Sequence, residues 1–467
     1  MRFPYKLILP ILAIVLASLA CSLPIQTTPT PIDVENAAQT AVAATLTAMA
    51  PAATLAATDM PTGTPAPTET TAAIPTATTA PPAVLRVVFT DRAKNLWAWQ
   101  EGSAPLKIIN SGNVQDVALS DDGQWVSFSR TTSDFSETSL WAIAFDGSNE
   151  HQLVSYADFQ SMPLHPDLDP AGVVSIFPTM VQFVPLSHTL AFMTAPQFEG
   201  PGFFDNKDLW LVDVVTSSRT NLLPAGSGGQ YTYNPDGSQI ALVTPTDISL
   251  IYADGSNRRS SVLTYPSVLT YSEFAYHATP LWAPDSSFLR VSIPYSDSLG
   301  DPTQPATLYQ LPVDGSPAYI LGSLLTAPLN YASYSPDLSK IAYSQQVGSA
   351  SDNIYSVQIA NYDGSASGEV ANGNYNFAGW APDSSHYAYY RWDPRTLYLA
   401  QGGVAGVTLV DSSPADNWQW ISSERLIFIY RSAPEWQLRL TGLDGTSSLI
   451  SGLGAGDGYV SFAFAGE

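Results

Sequence analysis

A chain of 467 residues with one cysteine, Cys21, can form no internal disulfide and offers no paired thiols to clip a zinc ion. Positive charge is scarce as well: 18 Lys and Arg face 41 Asp and Glu, a formal net charge of −23. With no basic patch to take up phosphates, nucleic-acid binding and electrostatic attachment to anionic lipid are both disfavoured. The acidity favours solubility and repels like-charged partners. The five histidines, His151, His165, His188, His277 and His386, are scattered without His-x3-His spacing, so each is expected to be solvated or hydrogen-bonded in a loop. No Gly-x-Ser-x-Gly elbow occurs either, which leaves a hydrolytic nucleophile without its usual setting. These absences lead to the expectation of a chain that is not an enzyme, with no catalytic residue, no metal and no cofactor.

Long apolar runs are almost missing too. The one from Leu7 to Ala20 follows the basic start Met1-Arg2-Phe3-Pro4-Tyr5-Lys6. It is short for a membrane span, which needs about 20 residues, and suits an export signal. It ends Leu16-Ala17-Ser18-Leu19-Ala20-Cys21, and the small residue before the cysteine resembles a bacterial lipoprotein signal. That resemblance implies lipidation of Cys21 as the new N-terminus, although Ser18 stands where such signals prefer Leu. The alternative is an ordinary cleaved signal with an incidental cysteine. Residues 1–20 are therefore read as a lipoprotein signal peptide and 21–83 as a disordered tether. The stretch from Ser22 to Pro82 has no Lys or Arg and is dominated by Thr, Ala and Pro, too little apolar surface to fold. Such a tether reaches roughly 45 Å coiled and roughly 190 Å in polyproline form. Asp33 to Met49 is Pro-free and Ala-rich, consistent with a short capped helix or a frayed piece of linker.

What the rest of the chain has is a repeat. Tyr233-Asn234-Pro235-Asp236-Gly237, Trp282-Ala283-Pro284-Asp285-Ser286, Tyr334-Ser335-Pro336-Asp337-Leu338 and Trp380-Ala381-Pro382-Asp383-Ser384 each end one strand on an aromatic and turn into another. Strands ending at Leu119, Phe183, Tyr233, Trp282, Tyr334, Trp380 and Trp420 give seven copies, and Phe464-Ala465-Gly466-Glu467 starts an eighth. Its continuation is Arg86-Val87-Val88-Phe89-Thr90, at the other end of the chain. A second tally, of third strands, places Leu96, Leu140, Leu209, Ile248, Leu308, Ile354, Leu397 and Trp436 in equivalent positions, many leading into an Asp-Gly turn. The fold class is all-β: residues 84–467 form a β-propeller of eight blades at about 48 residues each, closed by strands from both ends. Seven blades is the alternative, if the Phe183 or Trp436 units are insertions. The Pro-Asp-Gly style resembles TolB-type, WD-like propeller repeats of bacterial envelope proteins, and the propeller domains of prolyl-oligopeptidase-like enzymes. The latter likeness stops at the propeller, because no α/β catalytic domain follows.

The turn acids Asp236, Asp285, Asp337 and Asp383 recur in register, which points to one structural duty: bonding backbone N–H groups in their own turns. Asp297-Ser298-Leu299-Gly300-Asp301 lacks the acid density of a calcium loop and reads as a hairpin tip. Strand alternation turns the residue before each anchor away from it, toward the channel. Among these, Gln182, Thr232, Ser333 and Gln419 are the candidate polar contacts for a ligand. The longest departures from the repeat are 156–172, 197–207 and 295–306, and the second carries Phe198, Phe203 and Phe204 as a candidate interface loop. The functional expectation is a non-catalytic protein-binding platform on the extracytoplasmic side, held to the membrane through lipid on Cys21, with an envelope or extracellular protein as partner. A receptor for a saccharide or other small solute is the alternative, and an enzyme with a channel site the third.

Overall fold

The computed structural model describes residues 84–132, 136–199, 204–270, 274–327, 332–347, 354–392, 395–402, 407–410, 414–431, 435–456 and 458–466. The signal, Cys21, the tether, the helix proposed for Asp33 to Met49, and Phe203 lie outside the described residues.

The repeat becomes eight antiparallel sheets of four strands. The innermost strands are Phe462–Ala465 in blade 1, Val114–Leu119 in blade 2, Val173–Phe183 in blade 3 and Gln230–Tyr233 in blade 4. Leu281–Trp282, Ser333–Tyr334, Tyr375–Trp380 and Ala415–Trp420 follow in blades 5 to 8. Blade 1 is completed across the ends of the chain: Arg86 pairs with Ala465, Val87 with Phe464 and Phe89 with Phe462. This pairing removes the open edges that a linear stack of sheets would leave. The Phe183 and Trp436 units are full blades, so the count is eight rather than seven.

Neither face of a blade is polar, so each must be covered by a neighbour. Eight buried clusters do this, each bridging two consecutive blades, and the cluster of Val87 and Phe89 with Ile427, Ile429 and Leu438 closes blade 8 onto blade 1. The strand-end anchors belong to these joints. Phe183 packs between blades 2 and 3, Tyr233 between 3 and 4, and Trp282 between 4 and 5. Four tryptophans also stitch inner strand to inner strand: the Nε1 groups of Trp282, Trp380, Trp418 and Trp420 donate to the carbonyls of Thr232, Ser333, Ala378 and Gly379 at 3.2, 2.9, 3.0 and 3.2 Å.

The third-strand tally has the right number but the wrong register in two blades. Seven blades have a β-bulge just after a buried residue of the third strand, and in blades 6 and 8 that residue is Val357 or Leu438, both fully buried. Ile354 and Trp436 lie further toward the strand start, because these strands are longer, eight and seven residues. A bulge twists the outer strand and blunts the rim of each blade as a pairing edge.

The turns behave as their chemistry demands. Asp236, Asp285, Asp337 and Asp383 each accept from the backbone N–H two residues on, at 2.9 to 3.1 Å. Asp297 likewise accepts from Gly300 N–H at 2.9 Å and Asp301 from Thr303 N–H at 3.1 Å. Asp-Gly turns press on the outer strand of the preceding blade: a Cβ on Gly364 (φ +86°) would lie 2.5 Å from the Ser323 carbonyl oxygen. Segment 156–172 is not bare loop; it contains a one-turn helix, Tyr156–Gln160, closed by a Ser155–Asp158 capping box.

Candidate functional site

The inner strands of blades 4 to 7 end at the Pro-Asp turns, and there they enclose a hollow of about 670 Å³. Its walls are Pro235, Pro284 and Pro336 from the turns, with Leu281, Trp282, Tyr334 and Trp380 from the strand ends. Proline stands here because the turn needs its fixed φ, and the aromatics because they anchor the blade joints. The result is an apolar mouth. No Asp, Glu, His, Lys or Arg is among its described lining residues. Tyr334 is the sole ionisable group there, and burial pushes its hydroxyl far above the ordinary phenol range. Leu281 stays 38% exposed at the rim.

The other end of the inner strands has different chemistry. In blades 2, 3 and 8 the ladder between first and second strands slips by one residue, between Gln115 and Ala118, Thr179 and Gln182, and Asp416 and Gln419. Each slip holds one residue in the left-handed region: Asp116 (φ 50°), Met180 (φ 52°) and Asn417 (φ 44°). These three line one polar cavity of about 490 Å³, with Thr179, Gln419, Tyr459 and Ser461. Asp116 is reachable from the lumen yet surrounded by protein, and this poor solvation raises its carboxyl above the ordinary value.

Of the residues expected to line the channel, Ser333 borders the apolar mouth and also a hollow of about 320 Å³ between blades 6 and 7. Gln419 borders the polar cavity at the opposite end. Gln182 lies beside the Tyr231 hydroxyl, which donates to the Met180 carbonyl at 2.5 Å. Thr232 presents its carbonyl to Trp282. The four are thus not brought together. In the candidate interface loop, Phe198 is half-buried and sits edge-to-face with Phe204 at 6.0 Å, while Phe204 is 55% exposed. The residues missed by sequence reasoning are Asp116, Met180 and Asn417. Each stands three places before its anchor, a register signal, but nothing in their types marks a shared conformation.

Histidines serve the frame. His188 Nε2 lies 2.9 Å from Asp122 Oδ2, and Leu186 N–H donates to Asp121 at 2.7 Å, joining two turns that depart from Pro-Asp-Gly. Burial would raise the Asp122 carboxyl, but bonds from Ser120, Gln124 and His188 outweigh it and hold the group low. Asp208 is buried and still raised, though Thr194, Asn206 and Trp210 all bond it. No cluster of three His, Cys, Asp or Glu suited to a metal occurs among the described residues.

The chain is an eight-bladed β-propeller. No family model matches it, and no curated protein does. Solved structures similar to it include an oligogalacturonate lyase in complex with manganese, at 15% identity and TM-score 0.43, covering 75% of this chain and 82% of that one. The propeller domain of the Trilobed protease from Pyrococcus furiosus is 12% identical, with TM-score 0.44 and coverage of 73% and 95%. TolB from Acinetobacter baumannii is 13% identical, with TM-score 0.37 and coverage of 80% and 79%. The likeness lies in the propeller and extends to no substrate or partner. The Trilobed domain is described as having an open velcro topology, whereas here the first and last strands pair.

Proposed function

We propose that this propeller is a non-catalytic platform whose apolar mouth receives an apolar segment of a partner protein. The observation that carries the reading is the lining of that mouth: four prolines, two tryptophans, a tyrosine and an exposed leucine, with no Asp, Glu, His, Lys or Arg among the described lining residues to activate the Ser333 and Thr279 hydroxyls. Such a surface gains from excluding water, and its described lining offers no carboxylate or imidazole to take a proton from a hydroxyl. Aromatic residues held rigidly by blade packing are efficient anchors, because little side-chain freedom is lost when a partner docks.

The lipoprotein reading of the leader goes with this function. Cys21 would carry the lipid and residues 21–83 would hold the propeller away from an extracytoplasmic membrane surface, where an envelope protein is the expected partner. Both parts are testable. Affinity capture from solubilised envelope with the full chain should enrich a protein that Leu281→Glu fails to retain; equal enrichment by both, or none, would sink the reading. Leu281 suits this test because its exposed side chain is no part of a blade joint. Labelled fatty acid should enter the wild-type chain and not Cys21→Ser, and the variant should leave the membrane fraction; an unlabelled wild type would refute anchoring through Cys21.

A further inference from the structure

The polar cavity at the opposite end of the inner strands is not used by that docking reading. Three of the eight inner strands give up regular pairing at the same register, and the bulged residues of all three converge on this one cavity. Holding a residue other than glycine in the left-handed region costs about 1–2 kcal/mol, and Met180 has no side-chain bond to offset it. A bulge also frees backbone N–H and C=O groups along the channel wall.

The side chains presented there lack protein partners. Among the described residues, the Asp116 carboxylate, the Asn417 and Gln419 amides and the Thr179 hydroxyl make no hydrogen bond or ion pair with protein. The Ser461 hydroxyl accepts a long bond, 3.4 Å, from Val117 N–H. A cavity of about 490 Å³ falls within the range of small-molecule sites, and four unpaired polar groups converging on it form a ready-made hydrogen-bonding set. Met180, Pro178 and Phe462 supply an apolar wall, and Tyr459, 66% exposed, stands beside it.

Charge narrows the ligand. Asp116 is the one charged residue among the described residues lining the cavity, the arginines of the adjoining hollow, Arg395 and Arg431, are both paired with Asp416, and the whole chain carries −23. An anion would meet an unpaired carboxylate in a negative field, and a divalent metal would find one carboxylate where it needs several ligands. We propose that this cavity binds a small solute bearing one ammonium group among hydroxyls, the ammonium paired with Asp116 and the hydroxyls with Asn417, Gln419 and Thr179. The raised Asp116 carboxyl fits the assignment, since an ammonium partner would relieve its poor solvation.

The probe is D-glucosamine, titrated into the full chain below neutral pH where its amine is protonated, with calorimetry as readout. Saturable binding is expected, weakened about tenfold or more by Asp116→Asn, the loss of one charge-assisted bond. Asn tolerates a left-handed φ, so this variant keeps the bulge. D-glucose, which lacks the ammonium, should bind about tenfold more weakly than glucosamine, and Leu281→Glu at the other mouth should change nothing. No saturable glucosamine binding, equal binding by Asp116→Asn, or equal binding of glucose would each overturn the proposal. The docking reading is untouched by any of these results, because it rests on the opposite mouth.

Discussion

Trp380 shows how much one residue carries in this ring. Its indole fills the joint between blades 6 and 7 and its Nε1 caps the Ser333 carbonyl at 2.9 Å. Replacing it by Phe keeps the ring and strands the carbonyl, so Trp380→Phe should lower unfolding stability by about 1–2 kcal/mol in urea titration. An unchanged midpoint would show that water replaces the bond at no cost. Acids at this scale pull in opposite directions. The Ser155 hydroxyl bonds Asp158, and with further help from the Ser155 N–H and Arg219 this holds its carboxyl at about 2 despite some burial. Because the folded value lies below the ordinary 3.8, this stabilisation is present above 3.8 and lost as pH falls toward 2. The turn acids Asp236, Asp285, Asp337 and Asp383 are lowered as well and add to the same acid-side loss. Asp116 has the reverse sign: its folded value is raised, so stability is lost as pH rises from 3.8 through that value. Asp116→Asn should remove this term, so the variant should gain on wild type over that rise; a pH-independent difference would contradict the assignment. Tyr459 is the other titratable group among the described residues lining that cavity.

At the scale of elements, the turns were legible because their chemistry is local. Pro-Asp and Asp-Gly pairs specify backbone angles by themselves, and the structure honours them at Asp236, Asp285, Asp337 and Asp383. Register inside strands was less legible. Ile354 and Trp436 look like the leucines they were aligned with, and only strand length and the bulge positions reveal Val357 and Leu438 as the true equivalents. The inner-strand bulges were invisible for a deeper reason. Asp116, Met180 and Asn417 share a conformation imposed by packing around the axis, not a residue type. Gly364 offers a clean test of the turn-on-blade contact. Gly364→Ala meets both a positive φ and a Cβ only 2.5 Å from the Ser323 carbonyl oxygen, and should cost at least about 1–2 kcal/mol in the same titration. A neutral outcome would mean that the Asp363-Gly364 turn is free to move off the blade 5 rim.

The whole molecule joins these parts into a closed ring with two unlike ends. One mouth, at the Pro-Asp turns, is apolar and nearly free of titratable groups; the other holds an unpaired carboxylate among amides and hydroxyls. Closure is what keeps the two ends apart and the inner strands in place, since blade 1 depends on Phe462–Ala465 for its innermost strand. Architecture could be read from the sequence because a blade cannot be stable alone and repeats its signals. Ligand chemistry could not, because the lining of each mouth gathers residues from several blades. The most direct test of the docking claim is hydrogen exchange on the full chain with and without the protein it captures. The account predicts slowed exchange in residues 279–284 and 332–338, at the apolar mouth, and unchanged exchange around Phe204. Protection centred on Phe204 and the long loops, with the mouth unaffected, would contradict it.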